Sequence, residues 1–235
     1  MASSSQALPQ NPDDVAVDYI EYWALYRAIL AANWEETQIF FNQNPAAIRS
    51  PINNYLETAL HVAAKAGNAS FMEKLVALLL GDNEVEALGP RDAFGNTPLH
   101  FAARHGNIEV AHILVRRNSN LLYLPNNDGW FPIHFAAANC SISKDPFLYF
   151  LSLTRDDEYG QPNPYAGPTG ATILVTLILT KVYGTYSSQS LYYGGLGYHC
   201  TMNPDLYVYV LCYDFTCLVK FSILKIINSI PGINY

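Results

Sequence analysis

Three stretches of this chain lie over one another without gaps: ETALHVAAKAGN from Glu57, NTPLHFAARHGN from Asn96 and WFPIHFAAANCS from Trp130. Their histidines, His61, His100 and His134, stand 39 and 34 residues apart. Recurrence at a period of roughly 20 to 50 residues marks an array of stacked units, and it restricts the fold more tightly than composition does. A unit of this size cannot bury its apolar face alone, so its neighbours must cover it. Two weaker copies flank the three: LYRAILAANWEETQIFFNQNPAAI from Leu25 has the same two-helix rhythm, and TGATILVTLILT from Thr169 opens a fourth.

One unit can be read residue by residue. In RDAFGNTPLH, Gly95 suits a tight turn that needs positive φ, and Gly129 fills that slot in the third copy. Thr97 follows as a helix cap, and Pro98 stands at the first helical position, where its missing N–H does no harm. Pro132 repeats that placement, and Thr58 repeats the cap. Leu99, Ala102 and Ala103 make a thin inner helix whose small side chains let units approach closely. Gly106, like Gly67 one unit earlier, ends it in a left-handed cap. NIEVAHILV then spaces Ile108, Ala111, Ile113, Leu114 and Val115 for a second helix packed on the first, as SFMEKLVALLL does before it.

Thr97-Pro98-Leu99-His100-Phe101-Ala102 matches in full the T-P-L-H-x-A pattern of the ankyrin repeat, which this chain resembles. Thr58-Ala59-Leu60-His61-Val62-Ala63 departs from the pattern at the proline, and Phe131-Pro132-Ile133-His134-Phe135-Ala136 at the threonine and leucine. The longer wording, with ETALHVAAKAG and LLYLPNNDGWFPIH, is similar to a group of plant ankyrin-repeat proteins over residues 22 to about 180. In that group the repeats precede a membrane-spanning domain named for Pro-Gly-Gly, and members are linked to stress and defence signalling. Composition sets apart a disordered leader at 1–18 and an atypical tail at 181–235, and the resemblance implies an all-α ankyrin-repeat solenoid over residues 19–180 between them. It implies a monomeric, non-catalytic module that binds another protein, in the cytoplasm or at a membrane, without cofactor. It also implies that the three histidines hydrogen-bond neighbouring turn backbone as scaffold. Catalysis by them would need a base, a nucleophile and an orienting partner in one pocket, whereas an array spaces them out.

Carried over by position, the contact residues at turn tips and on the inner-helix face are Tyr55, Glu57 and Lys65 in the first clear repeat. They continue with Phe94, Asn96, Arg104 and His105 in the second, and with Asp128, Trp130 and Asn139 in the third. Phe94 and Trp130 stand out, because a large aromatic at an exposed tip anchors a partner well. The competing reading is that each packs on the adjacent turn.

Other chemistry is poorly supported. The net charge of −7 excludes a nucleic-acid surface, which needs clustered Lys and Arg. Asp156-Asp157-Glu158 lies among prolines and glycines and reads as a solvated loop. The glycines at 194–197 lack the ending of a phosphate loop. His199 and Cys200 with Cys212 and Cys217 fit no usual zinc spacing, and no metal is expected. Four scattered cysteines make no disulfide framework, which points to a reducing compartment.

After Lys181 the composition changes: nine of the 17 tyrosines fall in the last 54 residues, with only four charges, and no repeat phase continues there. Three readings stand open. Residues 206–219 are apolar but short for a membrane span and contain Asp214, costing about 2.5–3.5 kcal/mol on insertion. A β-rich addition is the second, given the Tyr, Val and Ile content. The third is translation of a thymine-rich intron, since Lys181-Val182-Tyr183 can be encoded across a splice-donor-like junction.

Overall fold

Each inner helix starts where a turn and a cap residue place it and stops at a glycine or a short 3₁₀ turn. In the computed structural model, which describes residues 22–79, 85–156 and 160–183, the regular elements are helices joined by turns, and no β-strand occurs among the described residues. The leader at 1–18 lies outside the described residues, as do Asp157, Glu158 and everything after Tyr183, with the three readings of the tail. We number the helices α1 (residues 22–30), α2 (Trp34–Gln43), α3 (Ala59–Ala66), α4 (Ala69–Leu79) and α5 (Pro98–His105). They continue with α6 (Ile108–Arg117), α7 (Pro132–Ala138), α8 (Asp145–Leu153) and α9 (Gly167–Tyr183).

Contacts divide the chain into two units, residues 1–102 with 109–118, and 103–108 with 119–235. In the first, Asn33 Oδ1 accepts the Glu36 N–H at 3.2 Å to start α2, with Glu35 and Glu36 at the favourable end of the helix dipole. Thr37 and Phe41 face inward from this helix. Helix α3 is thin because Ala59, Ala63 and Ala64 are its buried residues beside Leu60 and Val62. It ends at Gly67, whose φ of 77° is left-handed, and Asn68 Oδ1 then takes the Phe71 N–H at 2.8 Å to begin α4. Along α4, Phe71, Met72, Leu75, Val76 and Leu79 make one apolar stripe, and α3 packs against α4. Helix α6 repeats the device with Val110, Ala111, Ile113 and Leu114.

The second unit centres on α7, which packs against both α8 and α9. Its core holds Phe131, Ile133, Phe135, Phe147, Phe150, Tyr165, Ile173 and Leu177. Tyr165 is fully buried and its hydroxyl donates to the Thr154 carbonyl at 3.1 Å. The fourth copy is α9, which runs 17 residues. Nothing in ATILVTLILTK interrupts it as Gly67 and Gly106 interrupt α3 and α5, so the helix continues.

Candidate functional site

The turns that precede the inner helices are built by one side chain each. Asp92 Oδ1 accepts the N–H of Phe94 at 2.9 Å and of Asn96 at 2.7 Å, and the Asp92 carbonyl takes the Gly95 N–H at 3.0 Å. Asn126 does the same for Asp128 (3.0 Å), Trp130 (2.9 Å) and Gly129 (3.0 Å). Asn53 holds Tyr55 (3.0 Å), Glu57 (3.1 Å) and Leu56 (3.0 Å), and Asn163 Oδ1 holds Tyr165 at 2.8 Å. In the Asp92, Asn126 and Asn53 turns, a carboxylate or amide oxygen three residues before the left-handed position thus collects the turn's N–H groups and fixes its tip. The sequence reading passed over these four residues. Their signal was present, as Asp or Asn three residues ahead of Gly95 and Gly129.

The histidines join each turn to its helix. His61 Nδ1 accepts the Thr58 N–H at 3.0 Å, and its Nε2 lies 3.0 Å from the Asn96 carbonyl. His134 Nδ1 accepts the Phe131 N–H at 3.1 Å, with Nε2 2.9 Å from the Thr169 carbonyl. His100 Nδ1 takes the Thr97 N–H at 3.0 Å. A backbone N–H can only donate, so Nδ1 is unprotonated in all three rings, and in His61 and His134 the hydrogen sits on Nε2 and is given to the carbonyl. The imidazole stands where a capping box usually has Glu or Gln. The Thr58 and Thr97 hydroxyls go to the same Nδ1 atoms, at 3.0 and 2.9 Å. Burial holds the His61 ring below its ordinary value, against the pull of the Asn96 carbonyl and the carboxylates of Asp92 and Glu57. Burial likewise takes His134 down to about 4.

Two aromatic rings are exposed at the tips of the first unit. Tyr55 is 59% and Phe94 44% exposed, and their rings stack with centroids 6.3 Å apart and planes 27° from parallel. The Ala93 N–H donates to the Tyr55 carbonyl at 2.8 Å, tying the two turns together beneath the rings. Leu56, also exposed at 43%, continues the apolar tip.

Two residues expected to offer contacts, Glu57 and Asn96, are buried. Glu57 is turned inward, its carboxylate 2.9 and 3.1 Å from Lys65 Nζ and 2.7 Å from Asn53 Nδ2. Asn96 is buried and its amide donates to Asp92 Oδ2 at 3.1 Å, because the turn needs both ends of that side chain. Lys65 is committed to Glu57, and its ammonium lies 5.3 Å from the Phe101 ring centre. Arg104 is half-buried and His105 exposed at the end of α5, and Asp128 is exposed at its own tip. Trp130 is half-buried, stacked on His134 at 6.2 Å and edge-on to Phe135 at 5.8 Å, so its ring packs within the second unit. Asn139 ends α7 with its N–H on the Ala136 and Ala137 carbonyls, and lies against Gly106.

Cys140 is a free thiol that burial pushes up to about 12, which keeps it from acting as a nucleophile. Among the described residues, no three or more His, Cys, Asp or Glu side chains converge as metal ligands would. No described helix is long and apolar enough to cross a membrane.

Turn, thin inner helix, glycine cap and outer helix define an all-α ankyrin-repeat fold, and residues 69–151 match the family profile described as ankyrin repeats (3 copies). Repeats of this kind are protein–protein interaction modules. The chain is 35% identical over 114 residues to Protein ACCELERATED CELL DEATH 6 of Arabidopsis thaliana, covering 45% of this chain and 17% of that protein. It is 29% identical over 123 residues to human ankyrin repeat domain-containing protein SOWAHB, 52% of this chain and 14% of that protein. It is 30% identical over 81 residues to the human transient receptor potential cation channel subfamily A member 1, 34% of this chain and 7% of the channel. The chain therefore spans less than a fifth of the length of each of these relatives.

Proposed function

We propose that this chain is a non-catalytic adaptor that grips another protein with its turn tips, and that the Tyr55–Phe94 ring pair is its anchor. One observation carries the reading: two large aromatic side chains remain exposed while every carboxylate in the same two turns is folded inward. Rings held on turns by four side-chain-to-backbone bonds lose little freedom on binding, so their buried area converts efficiently into affinity. The match to Protein ACCELERATED CELL DEATH 6 supports a role in plant stress or defence signalling, and the scattered cysteines support a cytoplasmic setting.

Capture from plant extract tests the anchor. The full chain is compared with a Tyr55→Ala/Phe94→Ala variant and with Ile142→Ala, a change at an 83% exposed residue in the other unit. The expected result is a specific protein retained by the parent and by the Ile142 variant. The double variant, helical by circular dichroism, should bind it on the order of thirtyfold more weakly, as truncating a central aromatic anchor does. Identical capture by all three proteins would remove the ring pair from the interface.

A further inference from the structure

We infer that His61 is a proton-sensitive clamp that sets the distance between Tyr55 and Phe94, holding the ring pair at neutral pH and releasing it in acid. The inference rests on the ring pair being the contact surface proposed above, but its geometry does not depend on a partner. His61 touches both turns that carry the rings. Through Nδ1 it holds Thr58, three residues after Tyr55; through Nε2 it holds the Asn96 carbonyl, two residues after Phe94. The Ala93-to-Tyr55 backbone bond also ties the two turns together.

The chemistry of the ring makes this joint sensitive to protons. With Nδ1 aimed at a main-chain N–H and Nε2 already carrying hydrogen, an added proton must go onto Nδ1. There it faces the Thr58 N–H directly, so the bond that ties α3 to Thr58 and its turn is lost and a charge is left on a buried ring. The Asn96 carbonyl and the carboxylates of Glu57 and Asp92 favour the charged ring, but burial outweighs them. Glu57 is neutralised by Lys65, which itself repels a charged imidazole, and Asp92 is occupied by the N–H of Phe94, the N–H of Asn96 and the Asn96 amide. From α5 comes the edge of the Phe101 ring, 5.4 Å away and uncharged.

The sign follows from linkage. The closed clamp requires a neutral ring, whereas a released ring titrates near its free value of about 6.5. The clamp is therefore fully in force above about pH 6.5. Below it, the ratio of open to closed rises about tenfold per pH unit until the buried ring takes its own proton.

The test uses the full chain labelled with ¹⁵N and ¹³C. Long-range ¹H–¹⁵N spectra report the protonation of each His61 nitrogen, and cross-relaxation between the Tyr55 and Phe94 rings reports their contact. At pH 7.5 we expect hydrogen on Nε2 alone and strong ring contact, the two signals fading together toward pH 5. His61→Gln, whose Oε1 can accept the Thr58 N–H, should keep the contact but lose its pH dependence. Protonation of His61 with the ring contact intact would overturn the clamp, as would identical acid loss in the glutamine variant. Should that variant not fold, the titration of the parent decides alone. Because these readouts need no partner, failure of the clamp is distinct from failure of the capture experiment.

Discussion

Leu56 adopts φ +57°, left-handed backbone that a side chain enters at a cost of roughly 1–2 kcal/mol. It occupies the turn slot that Gly95 and Gly129 fill with φ of 77° and 79°, and the Asn53 carbonyl accepts its N–H as Asp92 and Asn126 accept theirs. Because its side chain is 43% exposed, little burial offsets the strain. We therefore expect Leu56→Gly to stabilise the chain by about 0.5–1 kcal/mol, after allowing for glycine's extra freedom when unfolded. An upward shift of the urea midpoint would show it, and a downward shift would mean that the Leu56 side chain packs more than its exposure implies. The glycines were legible in the sequence as turn residues, since positive φ is their common use. Leu56 was not, because no local pattern announces a leucine forced into that conformation by the bonds around it.

At the scale of the element, the turn depends on a single oxygen. Asp92→Ala leaves the N–H groups of Phe94 and Asn96 without their acceptor, one of them buried, which costs about 2–3 kcal/mol. Asp92→Asn keeps Oδ1 but sets an amide NH₂ against the Asn96 amide, a smaller loss of about 1 kcal/mol. Asn53 and Asn126 show that an amide oxygen serves the turn when no such neighbour opposes it. Equilibrium unfolding of the two variants should rank them in that order; equal losses would mean the Oδ1 bonds do not anchor the turn. The helices around these turns were legible from the spacing of alanine and leucine stripes, because burial imposes the 3.6-residue period directly on composition. The inward rotation of Glu57 and Asn96 was not legible. A polar residue at a tip reads as solvent-facing unless its acceptor or donor, here Lys65 or Asp92, is known to lie within reach.

Across the whole molecule, both units carry the same histidine joint, 35 residues from ring to accepting carbonyl in each case, at Asn96 and at Thr169. The identical spacing gives the recurring histidines the same structural role in both units. It also gives the chain a stability that falls with acid. His134 is buried at 3% exposure and titrates at about 4 in the fold, against about 6.5 when unfolded. Its folded value is depressed, so its contribution is complete above about pH 6.5 and declines below it, because the unfolded chain then binds a proton that the folded chain refuses. The decline is about 1.4 kcal/mol per pH unit and reaches about 3 kcal/mol near pH 4. Carboxylates add an acid dependence of their own, so the useful comparison is between the parent and His134→Gln, in urea series followed by far-ultraviolet circular dichroism from pH 7.5 to 4.5. The parent should lose about 1.4 kcal/mol more than the variant for each unit below 6.5. Parallel losses would show that the second unit tolerates a charged ring, and that its joint to the Thr169 carbonyl bends rather than breaks.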